Sequence, residues 1–262
     1  MTLGGSFHGG DNMQNNVQKF ERKIRVRIGT AGWSIPANNR SEFSQSGSLL
    51  EKYATRFNAV EINSSFYRPH TRRTYEKWAS EVAADFSFSV KLPKSITHLS
   101  KLKDIDDLAN QFAAEISGLG DKLGCVLVQL PPGLEFSLVH ARRSFTLLRK
   151  LLRCHIVCEP RHRTWFTSQV DAFLIDADVA RVAADPALCV SSSVPGGALH
   201  ICYYRLHGSP HMYYSDYSAR DLEGYAKSIT ELAQRAEVWC IFDNTANGWA
   251  FSNALWLQQL TS

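Results

Sequence analysis

No continuous apolar run in this chain approaches the ~20 residues of a membrane span. The first twenty residues are rich in Gly and Asn and hold no hydrophobic segment, which argues against a signal peptide and makes the location expected here cytoplasmic. No G-x-G-x-x-G or G-x-x-x-x-G-K-[ST] motif occurs, so no nucleotide cofactor is indicated and the cofactor stays unknown. No H-E-x-x-H or C-x-x-C supports a metal, and no G-x-S-x-G elbow supports a serine nucleophile. Internal repeats and low-complexity linkers are absent too. The net charge of +4 is mild, whereas dedicated nucleic-acid binders carry a pI above ~9 and clustered charge. The six cysteines lack a disulfide pattern. Cys154 and Cys158 would lie about 13 Å apart along a strand, too far to be bridged or to share a metal.

What is present is a chain of 262 residues with 44% hydrophobic and 21% charged content, ordinary for a globular α/β protein. Residues 1–23 are expected to be disordered or an upstream extension, with Met13 as a second candidate start. Residues 24–262 are expected to form a single TIM-like barrel domain. Strands are expected at Ile24–Ile28, Ala59–Asn63, Phe86–Lys91, Cys125–Gln129, His155–Glu159, Val179–Ala184, Ile201–Leu206 and Val238–Phe242. Helices are expected at Ser48–Phe57, Thr71–Val82, after Asp104 and Ser137 as caps, and at Gln169–Ala177, Asp221–Ala236 and Asn253–Leu260. Pro186–His200 shows no helical period. Alternating strands and helices with right-handed crossovers give a parallel sheet, and eight units in this length favour a TIM-type (β/α)8 barrel without a regular helix between strands 6 and 7.

Such a barrel gathers its strand ends onto one rim, where sites occur. Alternation puts Glu61 with Asn63, Glu159 with Arg161, Arg205 with His207, and Phe242 with Asn244 on common faces. In the third strand Phe86, Phe88 and Val90 face the helices, while Ser87, Ser89 and Lys91 face the lumen. The inward set is therefore Glu61, Lys91, Gln129, Glu159, Arg161, Arg205, His207 and Asn244. Two readings stay open. One is a satisfied ion-pair network in the barrel mouth, with Glu159 on Arg205 or Lys91. The other is a polar pocket awaiting an anionic or hydroxyl-rich ligand. Basic clusters follow three strands, at Arg68 to Arg73, Lys91 to Lys103 and Arg161 to Arg163, and favour an anion. Trp33, Phe66, Tyr67, Trp165, Tyr203, Tyr213, Tyr214, Tyr217 and Trp249 are packing residues taken singly, and a stacking surface taken together. Gly208 to Tyr217 reads as a covering loop.

On the enzyme reading, Glu61 or Glu159 is the base and His98 or His207 the acid, while Lys91, Gln129, Arg161, Arg205, Asn63, Tyr67, Asn244 and Trp33 line the ligand. No metal is favoured, because Lys and Arg crowd the same strand ends; were one present, His98, His162, Asp185 and His207 would be its ligands. The expected partner is a small anionic or phosphorylated molecule turned over by a hydrolase or isomerase. The alternative is a non-catalytic nucleic-acid or nucleotide binder. No membrane partner is expected.

Ile28-Gly29-Thr30-Ala31-Gly32-Trp33, Val60 to Arg68, Ile96-Thr97-His98, Gln129-Leu130-Pro131-Pro132, Arg205-Leu206-His207-Gly208 and Phe242-Asp243-Asn244-Thr245 together resemble the YecE-like DUF72 family. The resemblance runs from about Ile24 to the C-terminus and implies a TIM-type barrel. Through its likeness to xylose-isomerase-like and endonuclease-IV-like barrels it suggests sugar-phosphate or nucleic-acid chemistry, by analogy of fold alone. Three departures stand out. The loop after Trp33 lacks the usual Tyr-Pro elements, Pro160 follows Glu159, and Asp243 adds a negative charge where the family often has Asn.

Overall fold

The computed structural model describes residues 26–262. The expectations for residues 1–23, and the first two residues of the expected opening strand, lie outside them. Ten strands follow: β1 (Val26–Thr30), β2 (Ala59–Ile62), β3 (Ser87–Lys91), β4 (Leu123–Gln129), β5 (His155–Glu159), β6 (Val179–Arg181), β7 (Ala183–Asp185), β8 (Gly196–Gly197), β9 (Ile201–Leu206) and β10 (Glu237–Phe242). Seven α-helices alternate with them: α1 (Leu49–Ala54), α2 (Arg72–Ser80), α3 (Asp106–Ile116), α4 (Leu138–Leu151), α5 (Ser168–Asp176), α6 (Ala219–Ala233) and α7 (Trp249–Thr261).

The strands form two sheets, one in the order β1-β10-β9-β7 and the other β2-β3-β4-β5-β6-β8. All pairs are parallel except β6 with the two-residue β8. The sheets meet at two joints. At one, Ala31 bridges Glu61 and the Gly32 amide donates to the Glu61 carbonyl at 2.8 Å. At the other, β6 and β7 are consecutive pieces of one extended segment, and the Val182 amide between them donates to the Cys158 carbonyl at 2.8 Å. Eight strand positions thus follow one another around a ring, the arrangement expected of a TIM-type barrel. The expected single sixth strand is two short ones, because its residues turn from pairing with β5 to pairing with β9.

Two buried clusters line this ring. The larger one lies between strands and helices and takes Phe88 and Val90 from β3, with Phe112, Phe145 and Leu257 from the helices. The smaller fills the lumen with Cys125, Leu127, Val157, Tyr203, Trp239 and Ile241. Each such large side chain stabilises the fold by roughly 1.5–3 kcal/mol. Tyr203 and Trp239 stack at 5.9 Å and 11° across the lumen floor. Gly124 makes room for that indole, since a Cβ there would meet the Trp239 ring. Gly29 serves the first joint: a Cβ would collide with the Ala59 carbonyl, so only glycine lets β1 and β2 lie this close.

Helix starts follow local chemistry. Ser48, Thr71, Thr167 and Ser218 each accept a backbone N–H through the side chain, as N-caps do. Asp104 is not the cap expected of α3. It sits at φ 47°, and its carboxylate accepts from Arg143 instead. Ser137 precedes α4 but makes no side-chain cap bond. The stretch 186–200 carries a short 3-10 turn (Val190–Ser193) and β8 in place of a crossover helix, as its composition implied.

Candidate functional site

Odd-numbered positions of β9 point inward: Tyr203 in the lumen, then Arg205, then His207 just past the strand end. Arg205 is wholly buried, and its guanidinium is the hub of the mouth. Nε and Nη2 donate to the two oxygens of Glu61 at 2.9 and 2.7 Å. Nη1 donates to Glu159 at 2.8 Å, and Nη2 also to Asp243 at 3.0 Å. Glu159 further accepts from Arg161 Nε at 2.9 Å and from Gln129 Nε2 at 3.2 and 3.3 Å. The Tyr203 hydroxyl lies 3.0 Å from Glu61 and 2.9 Å from Ser89.

His207 bridges two carboxylates, with Nδ1 3.0 Å from Asp243 and Nε2 3.1 Å from Glu159. Ionised carboxylates only accept hydrogen bonds, so both ring nitrogens carry protons and the ring is an imidazolium. Its pKa agrees in direction: burial alone would lower it, but Glu159 and Asp243 raise it. Burial would raise Glu159 and Asp243. Arg161, Arg205 and His207 hold Glu159 well below its ordinary value, and Arg205 and His207 lower Asp243.

Three carboxylates are therefore met by three cations: Arg205, Arg161 and the His207 imidazolium. Lys91 is left over. It is 5% exposed, and among the described residues its Nζ forms no ion pair. The ammonium rests 4.3 Å from the centre of the Phe66 ring. Burial, then the nearby Arg205 charge, push its pKa down to about 8, against partial opposition from the three carboxylates. His98 meets the same Phe66 ring edge-on at 4.8 Å, and its Nδ1 lies 2.8 Å from the Thr97 hydroxyl. Burial and then Lys91, Arg161 and Lys94 lower its pKa, so His98 is neutral at pH 7.

Of the residues named from sequence, the structure brings Glu61, Lys91, Gln129, Glu159, Arg161, Arg205 and His207 together, with His98 at the edge. It does not bring Asn244, whose amide donates to the Ser215 carbonyl and to Asn253. Asp243 takes that place. Trp33 packs edge-on against Trp78 on the helical side, and Tyr67 is 76% exposed beyond Phe66. Asn63 stands above Glu61 with a buried Oδ1 that has no partner. The alternative metal set is dispersed: His162 bonds Thr164, Asp185 accepts from the Tyr217 hydroxyl, and His207 is held by carboxylates. Among the described residues no group of three or more His, Cys, Asp or Glu is placed to hold a metal. A guanidinium already occupies the centre of the carboxylate cluster, where a divalent cation would have to sit.

Asp243 is not a site residue on the sequence reading, and Tyr203, Phe66 and Tyr213 enter it only as members of an aromatic stacking surface. Tyr213, in the expected covering loop, lies with its ring edge-on to His207 at 5.7 Å and adds to the raised pKa of Arg161. Phe66 and Tyr213 offered no signal beyond aromatic residues near strand ends. Clefts of about 720 and 660 Å³ open on the outer helical surface beside Trp78 and Tyr204, and share no residue with the mouth. Among the described residues no helix is long and apolar enough to cross a membrane.

Tyr203→Phe should lower stability by about 1–2 kcal/mol, because it removes both hydroxyl bonds and leaves Glu61 one donor short. Urea unfolding checks this; an unchanged midpoint would mean the hydroxyl contributes nothing.

Comparison with known proteins places this geometry in context. The profile of "Protein of unknown function DUF72" matches residues 27–262. YunF of Bacillus subtilis is 26% identical over 90% of this chain and 94% of its own length. YecE of Escherichia coli K12 is 33% identical over a stretch covering 40% of this chain and 38% of YecE. A DUF72 family protein from Enterococcus faecalis superposes with a TM-score of 0.77 at 18% identity, over 90% of this chain and 95% of that one. The fold also resembles a D-allulose 3-epimerase from Methylomonas (TM-score 0.51, 11% identity, covering 90% and 98%) and a sugar phosphate isomerase/epimerase from Parabacteroides distasonis (0.50, 10%, covering 87% and 93%).

Proposed function

Since the chain belongs to the DUF72 family, whose name assigns no reaction, we propose from the barrel mouth itself that it binds a small anionic or phosphorylated ligand and acts on it as an isomerase or hydrolase. One observation carries this reading: Lys91 is a cation left over after the three carboxylates of the mouth are matched. A buried ammonium without a counter-ion is costly, and a ligand anion would supply one. Arg161, whose side chain is 25% exposed, lies at the same rim and offers its outer guanidinium edge to that anion. Arg205 does not fill the anion-holding role expected of it, because its donors are used internally.

The protonation states divide the roles. His98, kept neutral by burial and then by its cationic neighbours, suits a proton acceptor. His207, kept cationic between two carboxylates, suits a donor or an electrostatic support. Glu159 is held ionised by four donors and is a weak base. The epimerases and isomerases that share the fold act on small hydroxyl-rich or phosphorylated substrates by name, which is consistent with this reading and is analogy only.

Inorganic phosphate titrated in a thermal-unfolding assay tests the proposal. At a hundredfold excess over its dissociation constant, phosphate should stabilise by roughly 2.7 kcal/mol, and the shift should vanish in Lys91→Met. No shift with phosphate or with a sugar phosphate would overturn the reading. Salt-dependent binding of single-stranded DNA that survives Lys91→Met would favour the nucleic-acid alternative.

A further inference from the structure

Lys91 has surroundings that an anion-binding ammonium does not need. A lysine kept only for charge is best left at the surface or beside a carboxylate. Here Nζ lies against the face of Phe66 and close to the positive Arg205, and no carboxylate pairs with it among the described residues. Desolvation and a neighbouring cation are the two devices that turn a lysine into a nucleophile. Next to the same aromatic ring stands His98, a neutral imidazole.

We infer that Lys91 is a covalent amine, and that its Nζ adds to the aldehyde or ketone carbon of an anionic oxo-compound to form a protonated imine. The inference rests on the proposed anion site and names its substrate class: carbonyl compounds carrying a phosphate or carboxylate. The step balances without an outside oxidant or reductant. His98 takes one proton from the ammonium, and the free amine forms the C–N bond. The nitrogen of the adduct passes one of its two protons to the carbonyl oxygen, giving a neutral carbinolamine. The proton held by His98 then converts that hydroxyl to water, which leaves as the C–O bond breaks and the C=N bond forms. The product, a positively charged iminium, keeps the charge that the ammonium had, so the ligand's anionic group serves as its counter-ion before and after. An iminium withdraws electrons from the neighbouring carbon, and His98 stands ready to remove a proton there. This is what an isomerase acting next to a carbonyl requires. Phe66 is half-buried, and rotation of its ring gives the carbonyl access to Nζ.

With its pKa near 8, Lys91 holds roughly three hundred times more free amine at neutral pH than an ordinary surface lysine. Lys94, Lys101 and Lys103 are exposed on the same side of the chain and serve as internal controls. The experiment uses the full chain at pH 7.5 with dihydroxyacetone phosphate, pyruvate and glyoxylate as separate probes. Sodium cyanoborohydride reduces any imine, and peptide mass spectrometry locates the adduct. At least one probe is expected to label Lys91 ten times or more above each control lysine. Lys91→Arg should lose that adduct. Labelling no stronger at Lys91 than at the controls, with phosphate binding intact, would overturn the imine and leave the anion site standing. Absence of both adduct and phosphate binding would remove both readings together.

Discussion

Arg205→Met is expected to lower the unfolding free energy by about 3–5 kcal/mol. Methionine fills much of the same volume, so little of that loss is a cavity. It comes from Glu61, Glu159 and Asp243, which the substitution leaves buried together with Arg161, His207, Gln129 and Tyr203 as their remaining side-chain hydrogen-bond partners. Glu61 and Glu159 are 0% and 1% exposed, so water cannot replace the guanidinium. The carboxylates would respond by taking up protons. The deficit of the variant should therefore shrink as pH falls, whereas the native protein loses stability in acid. The sign follows from the directions of the shifts. Glu159 and Asp243 have native pKa values below their unfolded ones, so their contribution is present above the unfolded value and lost as pH drops through the native one. Urea denaturation at pH 7 and pH 3 measures both effects. A variant within 1 kcal/mol of the native protein at pH 7 would mean that the hub does not hold the mouth together.

Lys91→Met is expected to act in the opposite direction, stabilising the protein by about 3 kcal/mol at pH 7. The native state depresses this ammonium to about 8 from an ordinary 10.5, so carrying the charge is a cost of folding at every pH below 8. Between those two values the unfolded chain binds the proton and the folded one does not, so native stability climbs with pH. The advantage of the variant should accordingly fade above pH 8 and be gone by about 10.5. No carboxylate is orphaned by the change, which is why it differs from Arg205→Met. A residue whose removal strengthens the fold is one retained for another reason, the usual mark of a site. A lower midpoint for Lys91→Met at pH 7 would contradict this account.

Much of this was readable beforehand, and the unreadable parts have identifiable causes. In β3 the alternation of Phe86, Phe88 and Val90 with Ser87, Ser89 and Lys91 assigns each face without ambiguity. The polar residues Glu61, Glu159, Arg205 and His207 interrupt apolar strands at matching positions, which marks the mouth. β10 has no such contrast. Val238, Trp239, Cys240, Ile241 and Phe242 are apolar on both faces, so nothing in the sequence tells whether position 243 or 244 points inward. The expectation chose Asn244; Trp239 and Ile241 fill the lumen, and Asp243 follows them. Asp104 looked like a cap because of its residue type alone, and a positive φ with a distant Arg143 partner overrode that preference. The two readings of the charged mouth, network or pocket, differ only in which groups are spent on each other. Three-dimensional distances show the network, closed among Glu61, Glu159, Asp243, Arg161, Arg205 and His207, with Lys91 outside it.

Membership of the two sheets gives the network a mechanical meaning. Glu61, Ser89, Gln129 and Glu159 ride on the six-stranded sheet, whereas Tyr203, Arg205, His207 and Asp243 ride on the four-stranded one or just beyond its ends. Three of the six ion pairs at the top of the barrel, Arg205–Glu61, Arg205–Glu159 and His207–Glu159, therefore cross from one half of the wall to the other. Backbone pairing is thin along the two seams, and these side chains act there as rivets. Prising the halves apart would require stripping Arg205 of Glu61 and Glu159 at once, so the upper wall should open late and as a unit.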